Sequence, residues 1–132
     1  GTPGEAFVMG FQGSSVTAGH DNYFQHGYPS VFNDTVRSVF DALGVEFVVM
    51  NHARGNNPCL PYDLCTPTTV GDNVDFVSWE QSMNCGHEQA MAEAVIHTAL
   101  ATPTKPVVMF TASGQSQWKP TQCGGTATQG PP

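Results

Sequence analysis

Ala6-Phe7-Val8-Met9-Gly10-Phe11-Gln12-Gly13-Ser14-Ser15 is the stretch on which the fold turns. Its first half is a short apolar run without polar alternation, which reads as a buried strand, and its second half is a glycine- and serine-rich turn. Outward from it, residues 31–44 carry Val31, Phe32, Val36, Val39, Phe40 and Leu43 at helical spacing. Ser30 is placed to cap the first turn and Gly44 to end the last. Residues 45–50 (VEFVVM) form a near-continuous apolar run, as expected of a strand covered on both faces, and stop at Asn51-His52-Ala53-Arg54-Gly55.

Residues 58–72 are rich in Pro, Thr, Asp and Gly and read as a loop excursion. Residues 74–79 (VDFVSW) resume strand character, with Phe76 and Trp79 as core residues. Residues 87–101 hold strong helix formers, with Met91, Ala94, Val95 and Leu100 available for one face and Pro103 as the stop. Residues 105–111 supply a fourth strand. The order strand, helix, strand, loop, strand, helix, strand predicts a parallel α/β sheet of flavodoxin-like type with right-handed crossovers. Residues 1–113 form this domain, and residues 114–132, dominated by Gly, Thr, Gln and Pro, form a tail or linker. In such sheets the site lies beyond the carboxyl ends of the strands, where Gly13-Ser14-Ser15, residues 51–55 and Ser82-Met83-Asn84 all fall.

The chain has 132 residues, 39% of them hydrophobic, enough for one modest core. Four basic against eleven acidic residues give a net charge of -7, which excludes a nucleic-acid partner, because phosphate binding needs clustered Lys and Arg. No stretch approaches the roughly 18 to 20 apolar residues that span a bilayer. The start, Gly1-Thr2-Pro3-Gly4-Glu5, is not a signal peptide, though a signal removed earlier is compatible with it. Cys59, Cys65, Cys85 and Cys123 lack zinc spacing and are disulfide candidates, with buried free thiols as the alternative. Cys59 and Cys65 flank a loop short enough to close as a local bridge, leaving Cys85 for Cys123. Disulfides, and the glycosylation sequon at Asn33-Asp34-Thr35, point to a secreted or cell-surface protein.

The three polar clusters carry a specific resemblance. Gly13-Ser14-Ser15 is similar to the Gly-Asp-Ser-Leu block of the SGNH (GDSL-like) hydrolases, residues 51–55 resemble the block whose glycine donates a backbone N–H, and Ser82-Met83-Asn84 resembles the Gly-x-Asn-Asp block. The resemblance runs over residues 6–113. It implies Ser15 as the nucleophile of an acyl transfer, with the Ser15 N–H, the Gly55 N–H and the Asn84 side chain as oxyanion donors. Ser14 stands where the family has Asp, Ser82 where it has Gly, and Cys85 where it has a second Asp.

The family's carboxyl-terminal Asp-x-x-His does not occur in the 132 residues. A piece of a longer protein is expected ahead of a descendant without activity. His20 and His26 follow Ser15 closely as substitute bases, although exposed loop histidines are the commoner occurrence. His52 could shape a pocket rim, Arg54 could hold a substrate carboxylate or simply pair with an acid, and Trp118, in polar sequence, could stack on a sugar or anchor a packed loop. The implied function is a secreted carboxylic-ester hydrolase acting on O-acyl esters, such as an acetylated polysaccharide. The alternative is a non-catalytic SGNH-like structural or carbohydrate-binding cell-surface protein. Neither requires a metal or organic cofactor. Both take an ester or carbohydrate as ligand and leave room for assembly with other chains or with a further carboxyl-terminal segment. A phosphate-cofactor domain would share the sheet, but Gly10-Phe11-Gln12-Gly13 has neither a Walker lysine nor the dinucleotide glycine pattern.

Overall fold

A computed structural model describes residues 6–81, 84–85 and 89–111. It contains the strands β1 (Ala6–Gly13), β2 (Glu46–Asn51), β3 (Phe76–Glu80) and β4 (Val107–Phe110). All three pairings are parallel and the order is β2-β1-β3-β4, so the fold is the expected α/β one. The first strand is central because it is apolar on both faces. Phe7, Met9 and Phe11 point to one side with Phe47, while Val8 packs on the other with Val70, Val74 and Val77.

The first face is covered by α2 (Tyr28–Ala42). Its contact stripe is Tyr28, Phe32, Val36 and Phe40, one residue per turn, against Phe7, Phe11 and Phe47. Removing rings of this size from water contributes about 1.5–3 kcal/mol each, enough to fix which face turns inward. The helix therefore differs from expectation in two ways. Val31, Val39 and Leu43 lie on its exposed side, and it begins three residues earlier, at Tyr28-Pro29. Proline fits a first turn because its missing N–H would have had no partner there. Ser30, instead of capping, donates its hydroxyl to the Phe24 carbonyl at 3.0 Å.

The second face corrects the reading of residues 58–72 as a loop. This segment holds two short helices, α3 (Cys59–Tyr62) and α4 (Thr66–Val70). Gly10 lets the second seat on the sheet, since a Cβ there would lie 2.8 Å from the Val70 Cβ. Beside them runs α5 (Gln89–Leu100), which buries Ala92, Val95 and Ala99 and leaves Leu100, an expected core residue, exposed. Trp79 is buried against Cys59 and Val95, with Phe110 edge-on at 5.3 Å, and Phe76 packs beside Met9 and Phe11, as anticipated for both.

The expected Cys59–Cys65 and Cys85–Cys123 bridges are replaced by Cys59–Cys85, with Cα atoms 5.7 Å apart. Cys59 is buried in the cluster at the end of β3, next to where Cys85 emerges. Cys65 lies exposed beyond the turn at Tyr62-Asp63, a free thiol. A short sequence separation does not by itself bring two cysteines into bridging geometry, and Cys59 is already joined to Cys85. Cys123, Trp118, Ser82, His87 and the 114–132 tail lie outside the described residues. No helix among the described residues is long and apolar enough to cross a membrane.

Candidate active site

The carboxyl end of β1 is shaped by Gly13. A Cβ at this position would meet Thr17 and the Glu80 carbonyl oxygen, the latter at 2.7 Å, so only glycine lets the first strand end this close to the third. The chain then turns into the one-turn helix α1 (Ser15–Ala18). Ser14 caps it, its hydroxyl oxygen accepting from the Val16 N–H at 3.2 Å. The same hydroxyl donates to Glu80 Oε2 at 2.6 Å, and the Thr17 hydroxyl donates to that oxygen at 3.1 Å. A carboxylate thus stands beside Ser14 after all, delivered across the sheet from the end of β3. Ser15 follows as the first helical residue, half-buried, with an N–H that has no intrahelical acceptor.

The chain leaving β2 is fastened to this turn. His52 N–H continues the ladder to the Phe11 carbonyl at 2.9 Å, and Arg54 N–H reaches the Gly13 carbonyl at 3.1 Å. Asn51 supports the bend from both ends of its amide: Nδ2 donates to the Thr17 carbonyl at 3.0 Å, and Oδ1 accepts from the Ala53 N–H at 3.1 Å. These bonds bring Gly55 over Ser15, where a Cβ on the glycine would lie 3.5 Å from the Ser15 Cβ. The Arg54 guanidinium turns away and stacks on Tyr62, 4.7 Å from the ring centroid, and Tyr62 donates its hydroxyl to the His52 carbonyl at 3.3 Å. His52 and Arg54 are therefore tied into the wall of the second helix layer.

Beyond β3, Asn84 N–H donates to the Gln81 carbonyl at 3.0 Å. Its side-chain Nδ2 donates to Gln81 Oε1 at 2.9 Å and to the Asn57 carbonyl at 3.0 Å. Both amide hydrogens are thereby committed, so offering one to a substrate oxygen requires Asn84 to release a partner. Gln81 is buried, as is Asp63, which accepts from the Trp79 indole N–H at 2.7 Å. Burial raises the Asp63 carboxyl above the ordinary 3.8, opposed by the Trp79 and Gln81 side chains and reinforced by the charge of Glu80. Asp63 Oδ1 and Gln81 Nε2 both lack a hydrogen-bond partner among the described residues.

Ser15, Gly55 and Asn84 line one open cavity of about 520 Å³ together with His20 and Asn56. Three strand ends thus converge on one space. His20 is exposed on its rim, its Nδ1 3.2 Å from Asp21 Oδ2, whereas His26 sits against Tyr23 and lines a different cavity. Asn33 is half-buried on the first turns of α2, its Oδ1 accepting from Arg37 at 3.1 Å. Among the described residues no group of three His, Cys, Asp or Glu is arranged to hold a metal ion. Sequence reasoning missed Glu80, Gln81, Thr17 and Asn51. The signal available for the first two was a polar Glu-Gln pair directly after an apolar strand.

No family model matches the chain, and no curated protein matches it. Among solved structures it is similar to a two-domain esterase (CEX) active on acetylated mannans, at 21% identity and a TM-score of 0.68. The same figures hold for that esterase co-crystallised with mannopentaose. The match covers 81% of this chain and 30% of that one, so the chain spans under a third of that esterase's length. It is also similar to the psychrotrophic esterase EstA from Pseudoalteromonas sp., inhibited by monoethylphosphonate. There the identity is 13% and the TM-score 0.60, over 78% of this chain and 57% of that one. At these identities the likeness establishes a shared α/β fold.

Proposed function

We propose that the chain is the nucleophile-bearing part of an extracytoplasmic carboxylic-ester hydrolase of SGNH type, acting on O-acyl esters of a polysaccharide. The observation that carries this reading is the convergence of Ser15, Gly55 and Asn84 on one cavity from three strand ends. Ser15 Oγ attacks the ester carbonyl. The carbon–alkoxide bond breaks as the serine proton passes through a base to the leaving alcohol, and water then releases the acid from the acyl-serine. The Ser15 and Gly55 N–H groups and Asn84 Nδ2 stabilise the oxyanion of each tetrahedral intermediate. The base this reading calls for is the histidine of an Asp-x-x-His, a motif that the 132 residues do not contain. Support for the substrate class comes from the neighbour active on acetylated mannans, and the Cys59–Cys85 bridge suits an oxidising compartment.

A second reading, a carbohydrate-binding protein that keeps the scaffold without the chemistry, is favoured by one observation. Asn84 has both amide hydrogens spent inside the protein. The two are separated by comparing the natural full-length protein with its Ser15→Ala variant on 4-nitrophenyl acetate and on acetylated mannan. The hydrolase reading expects acetate release that the substitution abolishes. Equal release, or none from either protein, favours the second.

A further inference from the structure

Residues 20–26 supply none of the groups named in the acyl transfer above, yet they form a built segment beside the Ser15 cavity. The helix α1 ends at Gly19 with φ 81°, and the chain continues through Asp21, also left-handed at φ 65°. Asn22 N–H donates to the Gly19 carbonyl at 3.0 Å, Asn22 Nδ2 to the His20 carbonyl at 3.3 Å, and His26 N–H to the Tyr23 carbonyl at 2.8 Å. This framework holds Tyr23 out at 74% exposure, with the His26 ring edge-on to it at 5.7 Å and 90°. Tyr23, Asp21, Asn22 and His26 line a second open cavity of about 520 Å³. His20 lines the Ser15 cavity and Asp21 the second one, and the two side chains are 3.2 Å apart, so this pair forms the ridge between the cavities.

We infer that the second cavity is a subsite for a neutral pyranose ring of the polymer whose ester reaches Ser15. The direction of the inference rests on the ester-hydrolase reading; the binding itself does not. A pyranose has an apolar C–H face and a rim of hydroxyls. An exposed aromatic ring supplies the matching platform, and a carboxylate, an amide and an imidazole around it supply both acceptors and donors. An acyl chain would require a continuous apolar wall, which Asp21 and Asn22 interrupt. A uronate polymer would bring its carboxylates against Asp21, and none of the described Arg and Lys residues, Arg37, Arg54 and Lys105, lines the cavity to balance them. The subsite lies beside the ester cavity, so it reads a ring next to the acylated one. The ligand is therefore the polymer or its oligomers, not a single acetylated sugar.

The test uses affinity gel electrophoresis of the full-length protein in gels containing soluble mannan, xylan or mixed-linkage glucan, with Tyr23→Ala and Tyr23→Phe as variants. The wild type is expected to be retarded by at least one polymer, Tyr23→Phe likewise, and Tyr23→Ala to migrate as in a plain gel. On the acetylated form of that polymer Tyr23→Ala should raise KM about tenfold while its kcat/KM on 4-nitrophenyl acetate is unchanged. Absence of retardation by every polymer, equal retardation of wild type and Tyr23→Ala, or parallel losses on polymer and small ester would each overturn the subsite. Retardation that depends on Tyr23 in a protein without esterase activity would uphold the subsite and overturn the hydrolase reading instead.

Discussion

Asn84 is where the site's chemistry is most exposed to test. Its amide donates to Gln81 Oε1 and the Asn57 carbonyl, and the proposed hydrolase mechanism requires one of those hydrogens to turn to an oxyanion only when charge develops. Asn84→Ala is therefore expected to lower kcat by about 10²–10³ with little change in KM, as measured by steady-state hydrolysis of 4-nitrophenyl acetate. A rise in KM alone would make it a binding group. Asp63 gives a second prediction, one of stability. Its folded carboxyl is raised by burial, so as pH climbs past the ordinary 3.8 the unfolded chain ionises before the native one and stability is progressively lost. Asp63→Asn removes that titration and keeps an acceptor for the Trp79 indole. The melting temperature of the variant relative to wild type should rise from about pH 3 to about pH 7. A constant difference would mean that Asp63 does not titrate abnormally.

The elements show what a single chain discloses and what it withholds. The four strands and two long helices were legible because each carries an apolar set whose period is local in sequence. The stripe of α2 was only half legible. Val31, Val39 and Leu43 satisfy helical spacing as well as Phe32, Val36 and Phe40 do, and the sheet chooses between them by offering Phe47 and Phe11. The short helices α3 and α4 were hidden because their order comes from contacts distant in sequence. Thr66 meets Thr98, the Gln12 amide meets Thr69, and Cys59 is joined to Cys85. The bridge closes a separation of 26 residues, for which chain entropy gives about 3.5 kcal/mol. The double variant Cys59→Ala/Cys85→Ala should lose roughly that much stability in denaturant titration. In the native wild type, a maleimide should modify Cys65 while leaving Cys59 and Cys85 unmodified. Labelling of Cys85 before Cys65 would contradict the pairing.

At the scale of the molecule, a parallel sheet with helices on both faces leaves its strand ends as the place for chemistry, and Ser15, Gly55 and Asn84 meet there. That meeting was legible as far as Ser15, Gly55 and Asn84 are concerned, since each follows an apolar strand directly. The carboxylate beside Ser14 was not, because Glu80 enters through strand order, which places β3 next to β1. Whether this arrangement activates Ser15 is the central claim, and covalent labelling reads it most directly. The natural full-length protein would be treated with a fluorophosphonate probe and the modified peptide mapped by mass spectrometry, with Ser15→Ala alongside. Stoichiometric modification at Ser15, absent from the variant, is the predicted result. Folded protein that takes up no probe, or takes it up at another residue, would contradict the account.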